Sequence, residues 1–271
     1  MNCSINLFCC IIVGCLFSCN PAKNGAEVVS DTVSHDIETS IRNPPEGYVA
    51  LFNGTDFNGW HIIKQDESYP ADLFSVEDGM IRTYKGLAEH SDQTFAELIT
   101  DKEYESFVLE LEYKWGEHKF KPRHESVKDA GVLFHGFDED LFWASGAECQ
   151  IQEGDTGDLW LIGVRGSTTI DHSNEHFDAA GKVATKGGPD DRYRSFSRNW
   201  YWEKPDWNKV VLEVNKDAAR FLLNGKLVNE VFDLQRYYKD VDEWRPLTKG
   251  KILLQAEGAE IFYRNIFIKE L

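Results

Sequence analysis

Between Phe107 and Trp115 the chain reads FVLELEYKW, and apolar residues return at every second position. Phe107, Leu109, Leu111, Tyr113 and Trp115 fall on one face of an extended strand, with Glu110, Glu112 and Lys114 on the other, because side chains alternate across a pleated backbone. A helix would scatter the same residues around its circumference. Short runs of this kind recur between turn signals: Tyr48–Phe52, a hairpin from Phe74–Val76 to Met80–Thr83 about Glu77-Asp78-Gly79, Ala96–Thr100, Ala130–His135 and Ala147–Gln152. Leu159–Gly163, Lys209–Val214, Arg220–Leu223, Lys226–Val231 after the turn Asn224-Gly225, Lys251–Glu257 and Glu260–Ile268 complete the series. About a dozen short strands with almost no helical period predict an all-β sandwich or jelly roll. Two stretches do not fit the pattern. Asp233 to Pro246 reads as helical or irregular, and Asp171 to Pro205 has no sustained period and is too long for a mere connection, which points to a segment serving a site.

A chain of 271 residues is long enough to bury a sizeable core, and nothing in it repeats or marks a second domain. The net charge of −17 excludes nucleic acid and charge-driven adhesion to anionic lipid, and says little about a neutral ligand. Near the start, Leu7 to Phe17 is apolar but too short to span a bilayer. Leu16-Phe17-Ser18-Cys19 follows the pattern of a bacterial lipobox, although residues 1–18 carry no charge. The expected organisation is a signal peptide over 1–18, a lipid anchor on Cys19 with a polar tether over 19–43, and one folded domain over 44–271. Residue 20 is Asn rather than Asp, which favours the outer membrane by similarity to bacterial lipoproteins. Cys149 is then the one cysteine of the folded body and can form no internal disulfide.

The stretch AECQIQEGDTGDLW, Ala147 to Trp160, carries the densest chemistry. Ala147, Cys149 and Ile151 point to a core, while Glu148, Gln150 and Gln152 make a polar row. Glu153 and a turn holding Asp155 and Asp158 extend that row, and Trp160 adds a ring. Acceptors, donors and an aromatic face in so short a space suit a polyhydroxylated ligand. The plain alternative is the solvated outer face of an edge strand.

LFNGTDFNGW near the start, DAGVLFH, ECQIQEGDTGDLW, the Trp207-Asn208 strand with its LNGK turn, and GAEIFYRNIFI at the end together resemble the bacterial family known as domain of unknown function 1080. That family is described as 3-keto-disaccharide hydrolase, or 3-keto-glucoside 1,2-lyase and 3-keto-2-hydroxyglucal hydratase. The resemblance spans roughly Gly47 to Leu271 and implies a concanavalin-like two-sheet jelly-roll sandwich with a saccharide substrate on its concave sheet. Its chemistry implies removal of the proton at carbon 2, made acidic by the ketone at carbon 3, followed by loss of the aglycone from carbon 1, with or without hydration. Such a site needs a base, a donor or cation at the ketone oxygen, and an acid for the leaving oxygen.

Glu148 is the first candidate for base or metal ligand, the alternative being a structural carboxylate paired with Lys or Arg. His135, at the end of a neighbouring strand, is the second. Lys114, Arg123 or Arg165 would stabilise the enolate oxygen. Gln150, Gln152, Glu153, Asp155, Gln255 and Glu257 read as sugar-hydroxyl partners, with Trp160, Trp143 or Trp60 as stacking rings. A divalent metal ion would acidify the carbon acid, yet no ligand spacing demands one: His172 and His176 lie in a loop, and the Asp155–Asp158 turn is too short for a calcium loop. There is no dinucleotide fingerprint, so a separate sugar-oxidising dehydrogenase would have to make the ketone. A non-catalytic glycan-binding lipoprotein is the rival reading.

Overall fold

The computed structural model describes residues 42–69, 72–138, 142–172 and 175–271. The predicted signal peptide, Cys19 and nearly all of the tether lie outside the described residues.

Among the described residues, eighteen strands, paired antiparallel throughout, form two sheets. Seven strands build the first: β2 (Trp60–Lys64), β5 (Ala96–Thr100), β7 (Asp129–Phe137), β8 (Ser145–Gln152), β9 (Leu159–Ile162), β12 (Tyr193–Phe196) and β17 (Lys251–Ala256). Their order is β12-β9-β8-β7-β17-β5-β2. The second holds β1 (Val49–Ala50), β3 (Phe74–Glu77), β4 (Met80–Thr83), β6 (Ser106–Lys119), β10 (Val164–Ile170), β11 (Lys182–Lys186), β13 (Asn208–Asn215), β14 (Ala218–Leu223), β15 (Lys226–Tyr238), β16 (Glu243–Pro246) and β18 (Ala259–Glu270). This is the expected concanavalin-like jelly-roll sandwich. Neighbours in a sheet are far apart in sequence, as in β6 beside β13 and β18, so closure relies on long-range pairing.

Between the sheets lies one apolar core. β6 contributes Phe107, Leu109, Leu111 and Tyr113, β7 contributes Ala130, Val132 and Phe134, and β8 contributes Ala147, Cys149 and Ile151, all buried. Each large apolar side chain removed from water is worth roughly 1.5–3 kcal/mol, which holds the two sheets face to face. Cys149 is a free thiol in this core, and burial pushes it far above the usual thiol range, so it is inert. Asn224 and Gly225 both take positive φ (51° and 78°), the conformation a two-residue hairpin between β14 and β15 requires.

Three segments differ from expectation. β6 continues to Lys119, so the predicted loop from Gly116 is shorter. Asp233 to Pro246 is neither helical nor irregular: β15 runs on and folds back as β16, with Tyr237 opposite Trp244. The long stretch after Asp171 contains β11 and β12, each an edge strand held by one neighbour. Edge strands need backbone pairing rather than an apolar face, so they leave no alternation to read.

Candidate active site

The faces of β7, β8 and β17 that turn away from the core floor a cleft of about 390 Å³ on the outside of the seven-stranded sheet. Glu148, Gln150 and Gln152 rise from β8, with Asp129 opposite Gln152 on β7 and Trp160 of β9 opposite Glu148. Gln255 comes from β17, and Glu257 follows just past its end. The centre of the floor is Gly131, opposite Gln150. A Cβ there would sit 1.9 Å from Glu148 Oε1 and 2.4 Å from Gln255 Oε1, so the missing side chain lets these two groups meet above the sheet.

The cleft has two unlike ends. At one, Asp129 accepts hydrogen bonds from Gln150 Nε2 (2.6 Å) and Gln152 Nε2 (2.8 Å). Arg123, from the loop after β6, pairs with both Asp129 and Glu257. At the other, Trp143, Ile162 and Tyr193 supply apolar and aromatic wall. Beneath that end lies a small apolar cluster of Ile99, Leu133, Ala144 and Leu253 with Ile162. Tyr193 is 46% exposed and stands at the rim. Glu148 occupies the row between the two ends.

Carboxyls outnumber cations here, and almost all are desolvated. Glu148 is only 4% exposed, and burial first, then repulsion by Glu257 and Asp129, holds it well above the usual carboxylate range. Burial likewise raises Glu257 to about 7, with Asp129 adding to the rise and Arg123 opposing it. Asp129 is raised by burial against the pull of Arg123 and Gln152. Glu97 on β5, opposite Gln255 in register, is raised to about 8 by burial. Such a site holds protons near neutrality, one carboxyl more firmly than the next, which is the requirement for paired acid and base work.

The model of the 3-keto-alpha-glucoside-1,2-lyase-like domain matches residues 47–269. This chain belongs to that family. Along 98% of its length it is 27% identical to a Bacteroides thetaiotaomicron protein named 3-keto-disaccharide hydrolase, 97% of which is covered. Two crystal structures described as glycosyl hydrolases of Parabacteroides distasonis share the fold. One aligns with a TM-score of 0.51 at 20% identity over 83% of this chain and 94% of its own, the other with 0.50 at 19% over 83% and 99%.

In this 3-keto-alpha-glucoside-1,2-lyase-like domain, the expected residues Glu148, Gln150, Gln152, Trp160, Arg123, Gln255 and Glu257 all line this cleft. Six expected residues do not. His135 takes a positive φ of 51° at a β-bulge, which turns its ring into the interior. There it is fully buried against Phe107 and Phe134, bonded to Lys216 O at 2.7 Å, and burial lowers its pKa. It is a core residue. Lys114 belongs to the other sheet, over the Trp207 ring and 3.6 Å from Asp206. Glu153 is exposed on the turn after β8, and Asp155 is paired with Arg198 at 2.8 Å, so neither reaches the cleft. Trp60 plugs the core with its Nε1 on Leu51 O, and Arg165 is held by Gln235. Asp129, Ile162 and Tyr193 also line the cleft, and Glu97 is buried beside it on β5. Asp129 opens DAGVLFH, one of the segments that carry the family resemblance, whereas Tyr193 comes from the aperiodic stretch after Asp171.

Among the described residues no group of three or more His, Cys, Asp or Glu is placed to hold a metal ion. The nearest approach to a donor set, Asp129 with Glu257, is bridged by Arg123 instead. The residues present do not fit a divalent ion.

Proposed function

We propose that this chain cleaves 3-keto glycosides, as a hydrolase-type carbohydrate enzyme that deprotonates carbon 2 and eliminates the aglycone. The family match and the relative named 3-keto-disaccharide hydrolase support the substrate class. The observation that carries the mechanism is that Arg123, paired with Glu257, and the buried Glu148, which Glu257 repels, line one cleft. On this reading they serve carbons 3, 2 and 1 of the sugar respectively.

Arg123 lies at the end that would receive the ketone and offers its charge to the oxygen at carbon 3. Glu257, beside it and poised near neutrality, takes the proton from carbon 2, and the C–H electrons form the carbon 2–carbon 3 double bond of the enolate. The enolate re-forms the ketone, a carbon 1–carbon 2 double bond appears, and the bond from carbon 1 to the glycosidic oxygen breaks. Glu148, which keeps its proton, delivers it to that leaving oxygen. Water then adds hydroxyl at carbon 1 and hydrogen at carbon 2, so the net result is hydrolysis. The amides of Gln150, Gln152 and Gln255 suit sugar hydroxyls, and Trp160, opposite Glu148, offers a ring for the sugar to lie against. The ketone would come from a separate sugar-oxidising dehydrogenase. The protein would work as an exported lipoprotein anchored at Cys19 of the outer membrane.

Purified protein incubated with a 3-keto glucoside should release the aglycone with transient enone absorbance, while the unoxidised glucoside stays intact. Binding without product, with and without added divalent metal, would leave a glycan-binding protein in its place.

A further inference from the structure

Trp143, a wall of the cleft, stands on no strand: it belongs to the bend just before β8 begins at Ser145. Its position is set by two residues that do not line the cleft. Arg192 reaches over from the segment before β12, with Nη2 donating to Trp143 O and Nη1 donating to Ser145 Oγ at 2.7 Å. Its own carbonyl accepts from Gly163 N at 2.7 Å. Gly163 has φ +65°, and a Cβ there would lie 3.0 Å from both Arg192 Nη1 and Ser145 Oγ, so the glycine leaves the guanidinium its path. From β5, Glu97 Oε2 accepts the Ala144 N–H at 3.3 Å.

Glu97 is hard to explain as scaffold. It is fully buried near the apolar cluster of Ile99, Leu133 and Leu253, where an aliphatic residue would pack without loss. Its other oxygen, Oε1, is buried with no hydrogen-bond partner. A buried carboxyl with one orphaned oxygen is retained against its desolvation penalty, so the bond it does make calls for a reason. The Phe95 and Phe142 rings, at 6.0 and 4.2 Å from that of Trp143, flank the indole but do not hold the backbone.

We propose that Glu97 and Arg192 are positioning residues that clamp the Trp143 segment from two sides, and thereby set how tightly the cleft holds its saccharide. The clamp acts through Trp143 and touches no reacting atom. It rests on the reading of the cleft as the saccharide site.

The test uses Arg192→Met and Glu97→Leu, with Glu97→Gln as the conservative variant that keeps an oxygen for Ala144 N–H. With a 3-keto glucoside, Arg192→Met and Glu97→Leu should raise KM about tenfold while kcat stays within about threefold, and Glu97→Gln should keep KM near the wild-type value. In a Trp143→Ala background neither substitution should raise KM further. Additive effects in that background, or an unchanged KM in variants that melt normally, would overturn the clamp. A second reading needs no turnover: acrylamide quenching of the Trp143 emission, isolated by subtracting Trp143→Phe, should increase in Arg192→Met and Glu97→Leu. Unchanged quenching sinks the clamp whatever the activity. Increased quenching in a protein that never turns over sustains the clamp and removes the proposed reaction instead.

Discussion

The outward faces of the two sheets carry the same residue types to opposite effect. On the eleven-stranded sheet, Glu110 pairs with Lys209, Glu112 with Arg264 and Arg42, and Glu260 and Glu77 with Arg82. On the seven-stranded sheet, Glu148, Asp129 and Glu257 line the cleft with Arg123 paired to the last two, and Glu97 is buried beside them. The first arrangement neutralises charge pair by pair, from exposed pairs to the largely buried Arg82–Glu260 pair. The second withdraws carboxyls from water with too few partners, so they answer by holding protons. Charge pairing makes a stable exterior, and charge left uncompensated around a hollow makes a place for proton transfer.

The largest effect expected from this contrast is at Glu148. Glu148→Gln keeps the shape and the neutral state of a protonated carboxyl, so the thermal midpoint at neutral pH should not fall. The transferable proton is lost, and aglycone release should slow by at least about a hundredfold. A variant turning over at the wild-type rate would remove Glu148 from the mechanism and leave the cleft as a binding site.

Much of this contrast was legible in the chain, but only one side at a time. Period-two alternation gave the strands and the polar row Glu148, Gln150 and Gln152, because a strand above a core must alternate. The same alternation put Lys114 on a polar face, and nothing local says which sheet that face belongs to. The decision lies in pairing: β6 sits between β13 and β18, far in sequence and on the other layer from β8. His135 failed for a different reason. The strand pattern assigns it a face by counting, and a positive φ at a bulge resets the count. Arg123 was found from its loop, whereas Glu97 was passed over, since AELIT reads as an ordinary buried strand and an acidic residue within it shows no sign of its partners.

The two faces should also differ in how stability follows pH. Glu97 and Glu257 titrate near about 8 and about 7 in the folded protein, above their ordinary carboxyl values. Between the unfolded and folded values the folded state keeps a proton that the unfolded state releases, so stability falls as pH rises through that window. The groups facing them are Gln255, Glu148, Asp129, Arg123 and Arg192. On the other sheet, hydrogen bonds from Arg82 and Lys85 hold Glu77 below its ordinary value, so its contribution is present above that value and is lost as pH falls. Thermal midpoints should therefore peak near about pH 5 and decline toward about pH 8, by on the order of a few kcal/mol in stability. Glu97→Gln should flatten the alkaline decline and leave the acid limb alone, whereas Glu77→Gln should change only the acid limb. Glu257 keeps part of the alkaline slope in Glu97→Gln, so only a slope as steep as that of the wild type would mean that the Glu97 carboxyl is ionised in the folded protein.

The smallest effect expected is the one that fixes the boundary of the site. Lys114 is 36% exposed over Trp207 on the outside of the eleven-stranded sheet, where Arg264 also covers the ring with its guanidinium carbon 3.9 Å from the centroid. Losing the ammonium leaves that second cation in place and an exposed ion pair with Asp206 unmade, so Lys114→Ala should shift stability by about 0.5 kcal/mol or less. Turnover of a 3-keto glucoside, read as kcat/KM, should stay within about twofold of wild type. A loss of tenfold or more would place an enolate-stabilising cation on the wrong sheet for the cleft described, and the division of labour between paired and unpaired faces would have to be redrawn around Lys114 rather than Arg123.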